Sequence, residues 1–414
     1  DFAAHMKQKN VLYQSFIKDG HWEFNPSKAS FHPFRWAKHL QNRCLEILQN
    51  HFKDPDDWSV AKALILGNRE EITSAVKAAY ASSGAMHVLA VSGLHVGSIC
   101  IMLNGLLWFL PKHSLWIWLR ISLLLLGIWT FALMTGASAS VLRASTMFSF
   151  LLFGKALNRY TNIYNTLAAS AFLLLLINPL VLFDIGFQLS YTALLGIIYF
   201  QPRIYKLLYC KRKVFDFIWK LITVSIAAQI STLPISLFYF HQIPVYFWLS
   251  GIVVIPAAAM MLNLGFLVLL SNPLPFIHAI AGKLLCYLVK GCNAVIFFIE
   301  SLPGSLVSGI WISLITLWLL YFIIGGLCIA LSFKRFKGLL FSLICLNLLS
   351  FSHAYETWNG LDEARVIIYQ LNRYSAIDIF LGKQVISLKD PTNYAQTNWP
   401  GQWEITGITT VLKK

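Results

Sequence analysis

Two histidines and a serine lie close together in the stretch HVLAVSGLHVG, residues 87–97. Imidazole and hydroxyl groups can transfer protons, attack an electrophile or bind nucleic acid through hydrogen bonds. On a continuous helix His87 and His95 would lie about 80° apart, with Ser92 about 60° from His95, so the three can share one face. They would then form a polar lining, or bond neighbouring helices where Ser92 and Gly93 allow close approach. Two histidines without a nearby carboxylate or thiolate supply too few ligands for zinc, so no metal site is predicted.

Arg143 follows the small-residue stretch TGASAS, residues 135–140. A guanidinium cannot lose its charge, so within an apolar segment it must reach water or find a partner. One interpretation is a phosphate contact, helped by backbone amides at the start of the helix. The other is an ion pair with Asp184. Three further polar residues are interpreted as structural hydrogen-bonding groups: Asp184, Gln188 and Gln229.

Two classes of function would use these polar residues differently, and both stay open at this stage. The GxS-like residues 136–138 would allow an intramembrane serine protease in which His87 or His95 activates Ser138, provided that serine and histidine lie within hydrogen-bonding reach. Broken helices with polar residues also occur in secondary transporters of small solutes, although the sequence has no evident inverted repeat. Proteolysis of a helical substrate or uptake of a small solute would identify these alternatives.

The elements that carry these residues are apolar. Of the 414 residues, 57% are hydrophobic and 12% are charged. Because a helix needs about 20 apolar residues to cross the hydrocarbon layer, we predict an all-α polytopic membrane protein with about 10 transmembrane or re-entrant helices. The predicted segments lie near 85–110, 115–135, 139–157, 164–182, 185–200, 214–238, 245–270, 275–299, 309–331 and 338–352. The seven cysteines are scattered and predict no disulfide framework, and no cofactor is expected.

The basic residues indicate the orientation. Residues 85–352 contain 16 Lys and Arg against three Asp and Glu, and the basic side chains outside the helices fall in alternate loops. By the positive-inside rule these loops are cytoplasmic, and an even number of crossings then places both ends of the chain outside the cytoplasm. The basic loops hold Lys112; Lys155 and Arg159; Arg203, Lys206, Lys211, Arg212 and Lys213; and Lys334, Arg335 and Lys337.

Three regions follow from these patterns: an extracytoplasmic segment 1–84, a transmembrane domain 85–352 and an extracytoplasmic, partial β-rich segment 353–414. Within the first, residues 34–52 have a helical apolar stripe and predict an amphipathic helix on protein or on the membrane surface. In the last, RVIIYQ, SAIDIFLG and KQVISL are short β-branched runs separated by turn residues, which is typical of strands.

Four blocks of sequence resemble one known family in the family's own order. They are Leu64–Arg69 (LILGNR), Gly84–Gly97 (GAMHVLAVSGLHVG), Thr135–Ala144 (TGASASVLRA) with Met147, and Asn178-Pro179 with Asp184–Ser190 (DIGFQLS). The family's further positions match Gln229, Thr232, Pro234, Phe240 and Pro244. The family is ComEC, the bacterial competence channel for DNA internalisation, and the resemblance is strong over residues 60–270.

The resemblance implies a multi-pass channel that carries one strand of DNA across the bacterial inner membrane during natural transformation. Its partners would be single-stranded DNA, the lipid bilayer, a DNA receptor outside and a cytoplasmic helicase or translocase, while association of the chain with itself stays open. Family members commonly have an OB-fold before this region and a metallo-β-lactamase-like domain after it, so residues 1–84 would include the tail of an OB-fold region. No HxHxDH metal motif occurs in these 414 residues, so we expect a channel and not an enzyme.

The site residues expected on this basis are the candidates for the DNA path: His87, Ser92, His95 and Arg143.

Overall fold

The computed structural model describes residue 15 and residues 33–110, 115–208, 211–362, 364–370, 375–381, 384–388 and 410–413. The predicted tail of an OB-fold region before residue 33 and the loop of Lys112 lie outside the described residues. The helices are α1 (Pro33–Gln49), α2 (Pro55–Leu66), α3 (Ser74–Ser82), α4 (Met86–Leu89), α5 (Gly93–Leu106), α6 (Leu115–Met134), α7 (Ala139–Ala156), α8 (Ile163–Ile177), a 3-10 turn (Pro179–Phe183), α9 (Ile185–Tyr205), α10 (Lys213–Phe240), α11 (Phe247–Leu270), α12 (Pro275–Ser301), α13 (Leu314–Phe333) and α14 (Phe336–Asp362).

The strands form two sheets. A two-stranded sheet pairs β1 (Gln242–Pro244) with β2 (Leu306–Ser308). A four-stranded sheet near the C-terminal end has the order β3 (Ala364–Gln370), β4 (Ser375–Leu381), β5 (Gln384–Leu388) and β6 (Thr410–Lys413). Its first three strands are antiparallel, with Ile368 opposite Ile377, whereas β5 and β6 are parallel.

Five of the described helices are long and apolar enough to cross a membrane: Trp116–Met134 of α6, α10, α11, α12 and α13. Three further apolar helices are shorter: α5, α8 and Phe336–Ser352 of α14. Each of the ten predicted apolar segments contains helix, but ten crossings stay a prediction.

The first predicted segment is not one helix. α4 ends at Leu89, Ala90 and Ser92 have extended backbones, and α5 begins at Gly93. The continuous helix that we drew through His87 and His95 is therefore wrong, and so is the 80° angle derived from it. Apolar residues run through the break, which hides it from hydropathy, whereas serine at the first position before a helix favours a new start there.

The chain divides into two compact units, of which the first comprises Asp1–Ser231 and Pro244–Ser305. Its hydrophobic core combines α1 to α3 with the long helices α11 and α12, and its fully buried members include Leu48, Ile65, Met261 and Leu285. A Cβ on Gly265 would lie only 2.7 Å from Ile65 Cδ1, so α2 packs directly on the backbone of α11. The boundary that we predicted at residue 84 thus falls inside one packed unit.

A buried chain of hydrogen bonds joins α2, α3 and α12. The Tyr80 hydroxyl donates to Asn293 Oδ1 at 2.8 Å, and Asn293 Nδ2 donates to Asp57 Oδ1 at 2.7 Å. Burial raises the pKa of the Asp57 carboxyl, an effect that the hydrogen bond from Asn293 partly opposes. Burial likewise raises the pKa of the Tyr80 hydroxyl, so Tyr80 stays a neutral donor. Asn293 is the link, because its one amide satisfies both partners.

Close approach of α9 and α10 depends on a glycine. A Cβ on Gly196 would lie 2.0 Å from Ser231 Oγ and 2.8 Å from the Ala227 carbonyl oxygen. The serine hydroxyl can rotate away, but Ser231 Cβ and the Ala227 carbonyl are fixed to the α10 backbone and cannot move without moving the helix. The two helices therefore meet backbone to backbone at this point, as small residues permit in helix packing.

The second unit comprises Thr232–Ile243 and Leu306–Lys414. Within it α13 packs on α14, where the Ser342 hydroxyl donates to the Ile323 carbonyl at 3.1 Å and lies against Gly326. The His241 ring stacks on Trp311, with ring centres 3.4 Å apart.

We predict that Asn293→Leu lowers the free energy of unfolding by roughly 1–3 kcal/mol, because the buried Asp57 carboxylate loses the amide donor of Asn293. Tyr80 loses one acceptor but keeps Cys292 as a partner. Asn263→Leu is the matched control, since Asn263 is exposed on α11 and donates to the Ala259 carbonyl of its own helix. Thermal unfolding of the purified protein in detergent measures both. Equal melting temperatures for the two variants would contradict the structural role assigned to Asn293.

We also predict that Gly196→Ala lowers the melting temperature and the amount of protein in the membrane, because the added methyl group forces α9 away from the α10 carbonyl. Gly325→Ala is the control: it lies in α13 with no atom within 4 Å of its Cβ position, and alanine there should stabilise the helix by up to about 1 kcal/mol. If Gly196→Ala were as stable as Gly325→Ala, the close contact would not exist in the folded protein.

Candidate functional site

A histidine side chain caps the start of α5, directly after the break between α4 and α5. The Ser92 backbone N–H donates to His95 Nδ1 at 3.2 Å, and Ser92 Oγ lies 3.0 Å from the same nitrogen. Since Nδ1 accepts from the backbone, a neutral ring carries its proton on Nε2. His95 is 1% exposed, and its Nε2 has no hydrogen-bond partner among the described residues. The first turn of α5 therefore holds a buried N–H donor with nothing to bind.

His87 is close enough to His95 to interact with it electrostatically, but it forms no hydrogen bond with this pair among the described residues. It belongs to the short helix α4, is exposed, and its Nδ1 is 3.0 Å from the Gly84 carbonyl oxygen. The structure thus brings Ser92 and His95 together as neighbours at one helix start, whereas His87 is held locally by its own turn.

Arg143 is buried in the first half of α7. Only 8% of it is exposed. Its Nε donates to Ser190 Oγ at 2.6 Å, its Nη1 approaches Met147 Sδ at 3.6 Å, and the guanidinium lies 5.7 Å from the centre of the Tyr191 ring. All of these partners are uncharged, so the positive charge of Arg143 is solvated by a hydroxyl, a thioether and an aromatic face.

The same guanidinium lies against the start of α5. A Cβ on Gly93 would be 3.1 Å from Arg143 Nη2. Two residues before Gly93, Val91 contacts a second glycine, Gly67: a Cβ on Gly67 would be 3.1 Å from Val91 Cγ2 and 2.9 Å from Thr135 Cβ, and Gly67 has a positive φ of 71°. Three of the sequence blocks therefore meet here through glycines that leave no room for side chains.

The ion pair between Arg143 and Asp184 is wrong. Asp184 is exposed and accepts a hydrogen bond from the Phe187 N–H at 2.9 Å, which caps the start of α9. The ion pairs within the described part of the chain are Lys38–Glu70, Lys62–Glu71 and Asp216–Lys220, and none includes Arg143. A carboxylate at a helix start is already stabilised by the free amides there.

The other two polar candidates lie in helices beside the site. Gln188 donates to the Leu182 carbonyl at 3.0 Å, which ties α9 to the 3-10 turn before it. Gln229 is half-buried within α10. The hydrogen bond of Gln188 agrees with a structural role.

Sequence reasoning missed a second buried arginine at the other end of α5. Arg120 is 7% exposed and donates to the Leu110 carbonyl at 3.2 Å, to the Asn104 carbonyl at 3.0 Å and to Asn104 Oδ1 at 2.8 Å. These acceptors lie at the C-terminal end of α5, where the helix dipole favours a cation. Arg143 lies at the N-terminal end, where the dipole favours an anion. The two ends of one helix therefore give their arginines opposite environments.

The loop before α7 does not form a serine–histidine dyad. Gly136 and Ala137 have positive φ angles of 80° and 50°. Ser138 Oγ is buried and has no hydrogen-bond partner among the described residues. The hydrogen bond that a serine nucleophile needs from its base is thus missing in this part of the structure. The described residues also contain no group of three or more histidine, cysteine or acidic side chains able to hold a metal ion.

Ser190, Tyr191 and Gly93 complete the site around Arg143. Ser190 and Gly93 belong to the blocks that we quoted, but no signal in the sequence pairs Arg143 with a hydroxyl 47 positions further on. The Tyr191 hydroxyl in turn lies 2.9 Å from Ser170 Oγ, which ties α9 to α8.

Comparison with known proteins agrees with the blocks of sequence. The model of the family described as Competence protein matches residues 64–337. One curated relative, ComE operon protein 3 of Bacillus subtilis (strain 168), is 30% identical over 236 residues, which cover 56% of this chain and 29% of the relative. The matched part is thus less than a third of that relative's length. No solved structure matches the chain. The family match covers more than half of the 414 residues, and the chain therefore belongs to the competence protein family.

Proposed function

We propose that this chain forms the membrane part of a channel that imports single-stranded DNA across the bacterial inner membrane during natural transformation, and that Arg143 contacts the phosphates of the strand. The observation that carries the proposal is the buried Arg143 guanidinium, which lies at the N-terminal turn of α5 without a carboxylate partner. Family membership supports the role in DNA uptake.

The charges at this point favour an anion. Arg143 adds a full positive charge where α5 already presents the positive end of its dipole. Burying a charge costs free energy unless a partner of opposite sign is close. The hydroxyl of Ser190 supplies only part of the stabilisation that the Arg143 charge needs. A phosphate from the strand would complete the site, and guanidinium groups bind phosphate with paired hydrogen bonds.

Ser92 and His95 have a positioning role in this proposal. By accepting the Ser92 N–H, the His95 ring fixes the first turn of α5 and so fixes the position of Gly93 against Arg143. The unpartnered His95 Nε2 adds a second donor close to this turn. His87 is exposed and would lie on the rim of the path.

The basic loops would face the cytoplasm and both ends of the chain would lie outside it. The chain would then work with a DNA receptor outside the membrane and with a helicase or translocase inside, and association with itself would be compatible with this arrangement. These partners follow from the proposed function.

We predict that Arg143→Gln reduces passage of labelled DNA into the cytosol by about ten- to hundredfold, the equivalent of one charge-assisted hydrogen bond of about 1.5–3 kcal/mol. The variant keeps a donor for Ser190, so its level in the membrane should stay normal. The full-length protein is tested in a naturally transformable host, with surface-bound and internalised DNA measured separately.

Arg120→Gln is the matched control for Arg143→Gln. It should lower the amount of folded protein, since carbonyls at the end of α5 lose their donor, but uptake per molecule should stay unchanged. If uptake through Arg143→Gln were normal, or fell only in proportion to its membrane level, the phosphate contact would be refuted. Unchanged uptake after deletion of the whole gene would refute the channel itself.

We predict that His95→Gln supports uptake close to that of the wild type, whereas His95→Leu loses most of it. Glutamine at this position can accept the N–H of the residue before the helix, as in a capping box, but leucine cannot. DNA uptake and thermal stability in detergent are measured together, and both should recover in the glutamine variant. Equal loss in both variants would show that the imidazole itself is needed, and equal activity would show that the cap is dispensable.

A further inference from the structure

One face of the long helix α12 carries charge where a membrane span should be apolar. Lys283, Tyr287 and Lys290 are all exposed, Tyr287 to 73%. At 100° per residue their side chains lie within about 60° of one another. We call these three residues the lysine face.

The lysine face lies opposite the side of α12 that packs into the core of its unit. The core side consists of Leu285, Val289, Cys292 and Ile296, all buried. The exposed stripe changes character along the helix: it is apolar at both ends, with Phe276 77% and Phe298 62% exposed, and polar only between them. The described structure therefore leaves the lysine face to be covered by lipid, by water or by another molecule.

Of these three surroundings, lipid is the least favourable for the lysine face. A helix of 27 residues is about 40 Å long, and Lys290 lies two residues past its midpoint, in the part of a membrane span that is farthest from both interfaces. Lys283 would lie about 8 Å from that midpoint on the same scale. Charged side chains this deep are expensive in hydrocarbon, and lysines reach the interface only from positions near the ends of a span.

Among the described residues, no carboxylate forms an ion pair with Lys283 or Lys290. Asp57 is the acid whose carboxylate feels Lys290 electrostatically, but it is bonded to Asn293 instead. The neighbouring acids Asp54 and Asp56 accept hydrogen bonds from the amides at the start of α2 and from Thr73, respectively. Both lysines thus keep donors available for an outside partner.

From these positions we propose that the lysine face borders a water-filled path and contacts the imported strand, the lysines through its phosphates and the Tyr287 ring through its bases. This rests on the proposed function and assigns α12 to the lining of that channel. Lysines bind phosphate as point charges, and an exposed tyrosine ring offers a stacking surface that tolerates any base. A second copy of the chain fits less well, since a two-fold contact on this face would set lysines against lysines.

Thiol accessibility tests whether the face meets water. In full-length protein whose native cysteines have been replaced and which still imports DNA, cysteine is placed at Tyr287 or at Leu126. Leu126 is the matched control, because it is 66% exposed near the middle of the membrane helix α6. A charged thiol reagent reacts with the thiolate, which forms only in water, so Tyr287→Cys should be modified at least about tenfold faster than Leu126→Cys.

The same variants test for DNA. Single-stranded oligonucleotide held in the channel should slow modification at Tyr287→Cys, and Lys283→Gln with Lys290→Gln together should reduce uptake about tenfold at normal membrane levels, the equivalent of about 1.4 kcal/mol. An oligonucleotide without bases should protect Tyr287→Cys less than one with bases.

Several results would overturn the proposal. Slow modification at both positions would place the face in lipid, and a disulfide between two copies at Tyr287→Cys would place it in an interface. Fast modification that DNA does not slow, with normal uptake by the double lysine variant, would show a wet surface outside the strand's path. None of these results touches the proposed function, which fails separately if deleting the gene leaves uptake unchanged.

Discussion

The cost of burying an arginine is the constraint on which the arrangement around α5 depends. Both ends of this helix hold a guanidinium that is more than nine-tenths buried, Arg120 at one and Arg143 at the other. At the C-terminal end, carbonyl oxygens and the helix dipole stabilise the charge. At the N-terminal end, the dipole opposes it and the partners are neutral. The charge of Arg120 is therefore fully stabilised by its partners, whereas that of Arg143 is not. This difference separates a structural arginine from one that can bind a ligand.

Glycines make that incomplete arrangement possible. Gly93 lets Arg143 lie against the backbone of α5, and Gly67, in a left-handed conformation, lets its loop contact Thr135 and Val91. A side chain at Gly67 would push its loop away from Thr135, and a side chain at Gly93 would displace the Arg143 guanidinium. Close approach of backbones without side chains between them brings amide groups near a bound anion, which is the usual reason for glycine at anion-binding sites. The packing and the electrostatics thus depend on the same residues.

Much of this was predictable, for identifiable reasons. Hydropathy located the helices because a membrane span must be apolar along its length, and four ordered blocks predicted the family, which the comparisons confirm. The break at Ser92 was not predicted, since apolar residues continue through it. The hydrogen bond between Arg143 and Ser190 could not be predicted from the sequence either, because it joins α7 to α9 in the tertiary structure. Coulomb attraction suggested Asp184 as the partner of Arg143, but the Asp184 carboxylate caps the start of α9.

The N-terminal helices show why sequence boundaries and folding boundaries differ here. The family match begins at residue 64, inside α2. However, the core that α11 and α12 share begins earlier: Ala37 and Leu48 of α1 are fully buried in it. Asn293 takes its partners from α2 and α3, and the Ser250 hydroxyl of α11 donates to the Ser83 carbonyl at 2.7 Å. A chain that lacked α1 to α3 would leave these polar groups without the partners that satisfy them. The helices before the family match are therefore part of the same folding unit as the membrane helices they pack on.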